Sequence, residues 1–196
     1  MSALAVNSVA SDATAPAAAV GAPRRVSRRR QWLMAFAAVA GVGGWTAVDG
    51  YAQTHMFLIN RSPSLPDWAF FVERGVMPAR GQVAFFAPPR GPLVQKHFGE
   101  HPSAFGKIVY GLAGDRVDRR DGTVFITHAD GSVSRIASLK PFSMQGEPLA
   151  PGPTGIIPRD CYYMGSPHKD GFDSRYAAIG WVCHRQIVGV ATRVIL

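Results

Sequence analysis

Asp121-Gly122-Thr123-Val124-Phe125-Ile126-Thr127-His128-Ala129-Asp130-Gly131 decides the fold class. Two Asp-Gly pairs bracket a run of β-branched and aromatic residues, and Asp-Gly is a pair that tight hairpin turns favour. Outward from this stretch the same texture repeats. Short apolar runs at 56–60, 68–72, 82–87, 107–112, 162–165 and 187–194 are separated by Gly, Pro and turn pairs such as Arg80-Gly81. Beyond residue 55 no long segment carries a 3.6-residue period, and only 92–103 has room for a short helix. Many short strands with turn punctuation predict a mainly β domain over 56–196, a coiled Greek-key β-sheet. The Gly- and Pro-rich hairpins at 118–157 read as an inserted β-hairpin flap on that sheet.

Upstream the texture changes. Residues 31–48 (QWLMAFAAVAGVGGWTAV) contain no charge, near the ~20 residues a membrane-spanning helix needs. Trp32 and Trp45 lie toward its two ends, where amphipathic aromatics favour the membrane–water interface. Arg24, Arg25, Arg28, Arg29 and Arg30 precede it and only Asp49 follows closely. This bias places the N-terminus in the cytoplasm and the chain beyond residue 50 outside. Residues 1–30 then form an Arg-rich cytoplasmic tail and 31–48 a single transmembrane anchor. Arg29-Arg30-Gln31-Trp32-Leu33 is also compatible with a twin-arginine export signal, and the Ala-rich segment with a cleaved signal peptide. The apolar stretch exceeds a typical signal-peptide core, which favours an uncleaved anchor.

The net charge of +8 would ordinarily suggest a nucleic-acid partner. Much of it is this arginine cluster, and no basic stripe interleaved with aromatics remains elsewhere, so nucleic acid is not expected. With 47% hydrophobic and 17% charged residues the chain is not a disordered one. Cys161 and Cys183, in an exported domain, are permitted to form one disulfide but lack metal-ligand spacing. No metal and no cofactor is expected.

Ser62-Pro63-Ser64-Leu65-Pro66 carries the first candidate chemistry. Two prolines bracket Ser64, favouring an extended approach and a tight turn that presents its hydroxyl at a sheet edge. A hydroxyl is a poor nucleophile until a neutral base takes its proton. Lysine serves only if burial lowers its pKa from about 10.4. Lys107 sits among Phe105, Ile108 and Val109, with no acid within several positions. The Ser64 amide and the Ser62 hydroxyl could face a developing oxyanion. Among the six histidines none forms an HExxH spacing, and no GxSxG elbow supports a Ser-His-Asp triad through His168 or His184.

These motifs, in this order, resemble the type I signal peptidases, the serine–lysine leader peptidases, and most nearly their TraF-type branch. The resemblance covers about residues 30–196. Ser64-Leu65-Pro66 is similar to the nucleophile box, and Ser62 to the position whose hydroxyl helps form the oxyanion hole. Arg80-Gly81-Gln82-Val83-Ala84-Phe85-Phe86 is similar to the rGDvVvF strand, with Gln82 in place of the acid. The segment from Lys107 to Asp115 resembles the box that holds the general base. Asp173-Ser174-Arg175-Tyr176 is similar to the DSRYxG box, followed by Gly180-Trp181-Val182 and Ile187-Val188-Gly189. Asp173, Ser174 and Arg175 are thereby implied as structural support, through an ion pair.

The resemblance implies a membrane-bound serine endopeptidase of the inner (cytoplasmic) membrane with a periplasmic catalytic domain. Its partners would be membrane lipid and a precursor protein with a small-residue cleavage motif, a pilin. An acyl-enzyme would pass to water or, by transpeptidation, to an amine. The substrate would lie extended along Ile59, Asn60, Arg61 and Pro63 and along Phe105 and Gly106 as an added strand. Phe57, Trp68, Phe70, Phe71, Phe85 and Phe86 are candidates for a rim dipping into lipid, or for core.

Departures define what needs a structural answer. Ile108 follows Lys107 where the family has Arg, Ala113 replaces a Pro, and Gly165-Ser166-Pro167 stands in place of Gly-Asp-Asn. Gly171 occupies the position where the family commonly has a lysine-orienting serine, so Ser166, Ser174 or water must serve. A noncatalytic pilus-assembly protein on the same scaffold and a housekeeping leader peptidase are the rival readings. A self-cleaving repressor shares the dyad, but the anchor argues against it.

Overall fold

A computed structural model describes residues 27–60 and 62–195. Most of the expected tail, together with Arg61 and Leu196, therefore lies outside the described residues. The apolar segment is a helix, α1 (Arg28–Thr54), longer at both ends than the uncharged stretch and without a buried side chain. Its 27 residues span about 40 Å at 1.5 Å per residue, more than the ~30 Å hydrocarbon core. It is long and apolar enough to cross a membrane, which fits a single-pass membrane protein.

The rest is mainly β. Seven strands form one antiparallel sheet: β1 (His55–Ile59), β2 (Ala69–Arg74), β3 (Val83–Phe86), β4 (Phe105–Gly111), β9 (Cys161–Gly165), β10 (Val182–Cys183) and β11 (Ile187–Ile195). Their order is β1-β2-β11-β3-β4-β9-β10, so the last strand lies between the second and the third. A second sheet, ordered β7-β6-β5-β8, is built from β5 (Arg116–Arg120), β6 (Thr123–Thr127), β7 (Val133–Ser138) and β8 (Gly155–Ile156). The expected hairpin flap is thus a four-stranded sheet in its own right. A short helix, α2 (Pro92–Phe98), sits inside the segment that had room for one.

The two Asp-Gly pairs behave differently. Asp121 and Gly122 both adopt positive φ (47° and 69°), as a two-residue type I′ hairpin between β5 and β6 requires. At the second pair only Gly131 does (81°), and the β6–β7 connection widens to residues 128–132, where Asp130 Oδ1 accepts the Ser132 amide at 2.9 Å.

Burial follows the two-residue strand period. In β4, Lys107, Val109 and Gly111 point inward; Lys107 pairs with Ala84 of β3, and Val109 with Met164 of β9. Ala84, Phe86, Val109 and Met164 share one core cluster, while Leu65, Phe70, Val72 and Phe85 fill another on the opposite face. Strand β9 is buried throughout because Tyr162 and Met164 face the first cluster, and Cys161 and Tyr163 a third that includes Ile126 and Ile157. Among the aromatics considered for a lipid-facing rim, Phe70, Phe85 and Phe86 are core residues and Phe71 is half-buried. Only Phe57 and Trp68 are exposed, joined by Ile59.

Cys161 and Cys183 stand opposite each other in the β9–β10 ladder and are bridged, closing a span of 22 positions. A polar clamp joins the two sheets. Arg80 Nη1 donates to the Tyr110 carbonyl and to Asp115 Oδ2, both at 2.7 Å. Burial alone would raise the Asp115 pKa, but the Arg80 bonds and the Leu112 amide outweigh it and hold the carboxyl below its usual value.

Candidate active site

Asn60 builds the serine turn. Its Nδ2 donates to the carbonyls of Leu65 (3.0 Å) and Asp67 (2.8 Å), and its Oδ1 accepts the Ser62 amide at 3.1 Å. One side chain thereby spans the loop between β1 and β2. Expected only as a residue along the substrate, Asn60 is a scaffold of the turn. The sequence signal was there, since Asn two positions before Ser is a pattern for an Asx turn. Leu65, 5% exposed, pins the loop into the core beneath it.

Ser62 Oγ lies 2.8 Å from Ser64 Oγ and donates to Asn60 Oδ1 at 3.4 Å. An amide oxygen only accepts, so the Ser62 proton points to Asn60 and Ser64 supplies the proton between the two hydroxyls. The resting array runs Ser64 to Ser62 to Asn60.

Across the cleft is Lys107, 5% exposed. Among the described residues its side chain makes no hydrogen bond and no ion pair. Burial is the largest influence on its amine and lowers the pKa from 10.5; the Asp173 carboxylate pulls it back up, and the Arg175 charge pushes it down. The net direction is toward the neutral amine, the form able to act as a base.

Ser62, Ser64 and Lys107 line one cleft of about 600 Å³. Ile59, Asn60, Pro63, Phe105 and Gly106 line it too, so the described residues expected along the substrate converge on the same space. Gly106 matters sterically. A Cβ there would lie 2.7 Å from the Phe85 ring and 3.3 Å from Leu65, so only glycine lets the serine turn approach β4 this closely. On its β9 side the β4 ladder begins at Ile108, which leaves Phe105 and Gly106 unpaired there, and β1 is an edge strand.

Behind Lys107 lies the Asp173–Arg175 pair, both essentially fully buried. Arg175 donates Nε to Oδ1 and Nη2 to Oδ2, each at 2.8 Å, and Nη2 also reaches the Gly171 carbonyl at 2.9 Å. Asp173 Oδ2 takes in addition the Ser166 amide at 3.0 Å. Ser174 locks this segment onto β9: its amide donates to the Met164 carbonyl and its Oγ accepts the Met164 amide. Of the three candidates for orienting the lysine, Ser174 is thus already engaged.

The inserted sheet reaches this region. Arg175 Nη1 donates to the Ser138 carbonyl at 3.3 Å, Lys140 pairs with Asp170, and Glu147 pairs with Lys96 and His97. Met144 from the same connection lines the cleft. This lip is invisible in sequence, where 139–150 is only a Gly- and Pro-containing loop.

His97 and His168 line the cleft too, but among the described residues no histidine is hydrogen-bonded to Ser62 or Ser64. His168 Nδ1 accepts the Asp170 amide, and His184 meets Tyr162 and Asp160. His128 does touch a serine, with Nε2 2.7 Å from Ser134 Oγ. Its Nδ1 lies beside Arg80 and Asp115, so this pair belongs to the clamp between the sheets and not to the Ser62–Ser64 turn.

The serine turn and the buried Lys107 amine thus line one cleft. Residues 29–196 match the family described as signal peptidase, peptidase S26, and the chain belongs to that family. Its coarse activity follows: a serine-type leader peptidase. Over 150 residues the chain is 28% identical to a probable conjugal transfer protein TraF of Sinorhizobium fredii (strain NBRC 101917 / NGR234), covering 71% of this chain and 77% of that protein. A signal peptidase I from Enterococcus faecalis V583 is 21% identical, with a TM-score of 0.35 over 60% of this chain and 98% of its own.

Proposed function

We propose that this protein is a single-pass leader peptidase of the inner membrane that cleaves a pilin precursor during conjugative transfer through a Ser64–Lys107 dyad. The observation that carries the reading is the desolvated Lys107 amine lining the same cleft as the hydrogen-bonded Ser62–Ser64 pair. Neutral Lys107 takes the Ser64 proton as Oγ attacks the scissile carbonyl. The Ser64 amide and the Ser62 hydroxyl, turned from Asn60, face the oxyanion. The acyl-enzyme then passes to water or to a substrate amine.

The substrate binds extended, adding to the free edges at Ile59 and at Phe105-Gly106. Arg28, Arg29 and Arg30, in the first turn of α1 ahead of its charge-free stretch, keep the N-terminus cytoplasmic and the β domain periplasmic. Exposed Phe57, Ile59 and Trp68 rest against the lipid surface. The conjugative role draws on the name of the Sinorhizobium relative.

The test is cleavage of a candidate pilin precursor by the full chain in membranes, read by mass spectrometry. Ser64→Ala and Lys107→Ala should each abolish processing; survival of processing in either variant refutes the dyad. The product mass separates hydrolysis from cyclisation, which differ by one water.

A further inference from the structure

Ser166 is fully buried, and its Oγ has no hydrogen-bond partner among the described residues. Buried hydroxyls are normally satisfied, so an orphan beside a reactive group needs a reason. The ladder between β4 and β9 supplies one. Ile108 pairs with Gly165 and Val109 with Met164. One step further along this antiparallel register brings Lys107 beside Ser166, on the face that carries Val109 and Met164. The Ser166 amide is held by Asp173 Oδ2 at 3.0 Å, which fixes the backbone from which the hydroxyl projects.

Gly171 completes the arrangement. A Cβ on residue 171 would collide with Ser166 Oγ and with Arg175 Nη2, with Asp173 Oδ2 2.9 Å away. The hydroxyl of Ser166 therefore occupies the space that a side chain at 171 would fill, and glycine is what leaves it open.

We propose that Ser166 is the positioning residue for Lys107. Its Oγ accepts one N–H of the neutral amine, halting rotation about the Cε–Nζ bond and leaving the lone pair aimed at Ser64. The inference rests on the Ser64–Lys107 reading and adds the group that orients its base. A neutral amine has two protons and one lone pair. Fixing one proton on a rigid acceptor converts a freely rotating base into a directed one.

Steady-state cleavage of the precursor by the full chain in detergent tests this, with Ser166→Ala, Ser166→Cys and Gly171→Ser. Ser166→Ala should lower kcat roughly 10- to 100-fold, a part of the ~10²–10⁴-fold that a positioned proton transfer supplies, and leave KM little changed. The acid limb of the kcat/KM profile should move with it. Ser166→Cys retains the volume but offers a weak acceptor, and should show the same loss even if the alanine variant fails to fold. Gly171→Ser drives its Cβ onto both Ser166 Oγ and Arg175 Nη2 and should lose activity.

Unchanged kcat and pH profile in folded Ser166→Ala or Ser166→Cys overturns the proposal. Failure of the dyad itself looks different: cleavage would then survive Lys107→Ala or Ser64→Ala.

Discussion

Arg175 grips Asp173 with two parallel hydrogen bonds, Nε to Oδ1 and Nη2 to Oδ2, both at 2.8 Å and both sealed from solvent. Planar two-pronged pairing of this kind needs the guanidinium fork. Removing one member leaves the other charge buried and alone, which typically costs about 3–5 kcal/mol. We expect Arg175→Met to lower unfolding free energy by that order and to abolish cleavage, because Asp173 and the Ser166 amide lose their anchor. Urea denaturation with a parallel cleavage assay checks both; a variant of wild-type stability contradicts the claim.

Lys107 should leave its mark on the pH dependence of stability. Its native pKa is lowered from 10.5, mainly by burial. Between the native pKa and 10.5 the unfolded chain holds a proton that the native chain does not, so stability rises with pH across that window. The penalty is complete below the native pKa and absent above 10.5. Lys107→Met should therefore melt higher than wild type at acid and neutral pH, with the gain shrinking as pH approaches 10.5. In the active enzyme kcat/KM should climb on an acid limb set by the same group. A melting difference that stays constant from pH 6 to 10 counts against the buried neutral amine.

Gly106→Ala tests how closely the serine turn must approach the sheet. The added methyl meets the Phe85 ring at 2.7 Å and Leu65 at 3.3 Å, and overpacking of this kind costs about 1–3 kcal/mol. Because Leu65 adjoins Ser64, we expect the loss in kcat to exceed what the drop in melting temperature explains. Full activity in a destabilised variant would show that the turn yields without consequence.

The Cys161–Cys183 bridge closes a loop of 22 positions, for which the chain-entropy relation gives about 3 kcal/mol. Cys161→Ser/Cys183→Ser, or reduction of the wild type, should lower stability by that order. Denaturation with and without reductant measures it.

Local chemistry was legible in the sequence, and long-range pairing was not. Asp121-Gly122 specified its hairpin because both residues tolerate positive φ, and the strand runs follow the burial period closely. The charge-free segment announced its helix, although the helical backbone continues through Arg28 and Thr54, where polarity no longer tracks conformation. The burial of Phe70, Phe85 and Phe86 depended on which sheet face found a partner, which composition does not encode. Asn60 looked like a residue along the substrate because a turn and a binding edge use the same polar side chains. Gly171 looked like a gap; only the fold shows Ser166 reaching that space from just beyond the end of β9.

The place of β11 in the large sheet has a temporal consequence. The hairpin that bears Ser64 ends in β2, and Lys107 lies on β4, which pairs with β3; β11 is the seam that hydrogen-bonds β2 to β3. The chain up to Gln186 holds the Ser64 hairpin and the Lys107 strand but not the strand that joins them in one sheet, so their registry is set only when β11 docks.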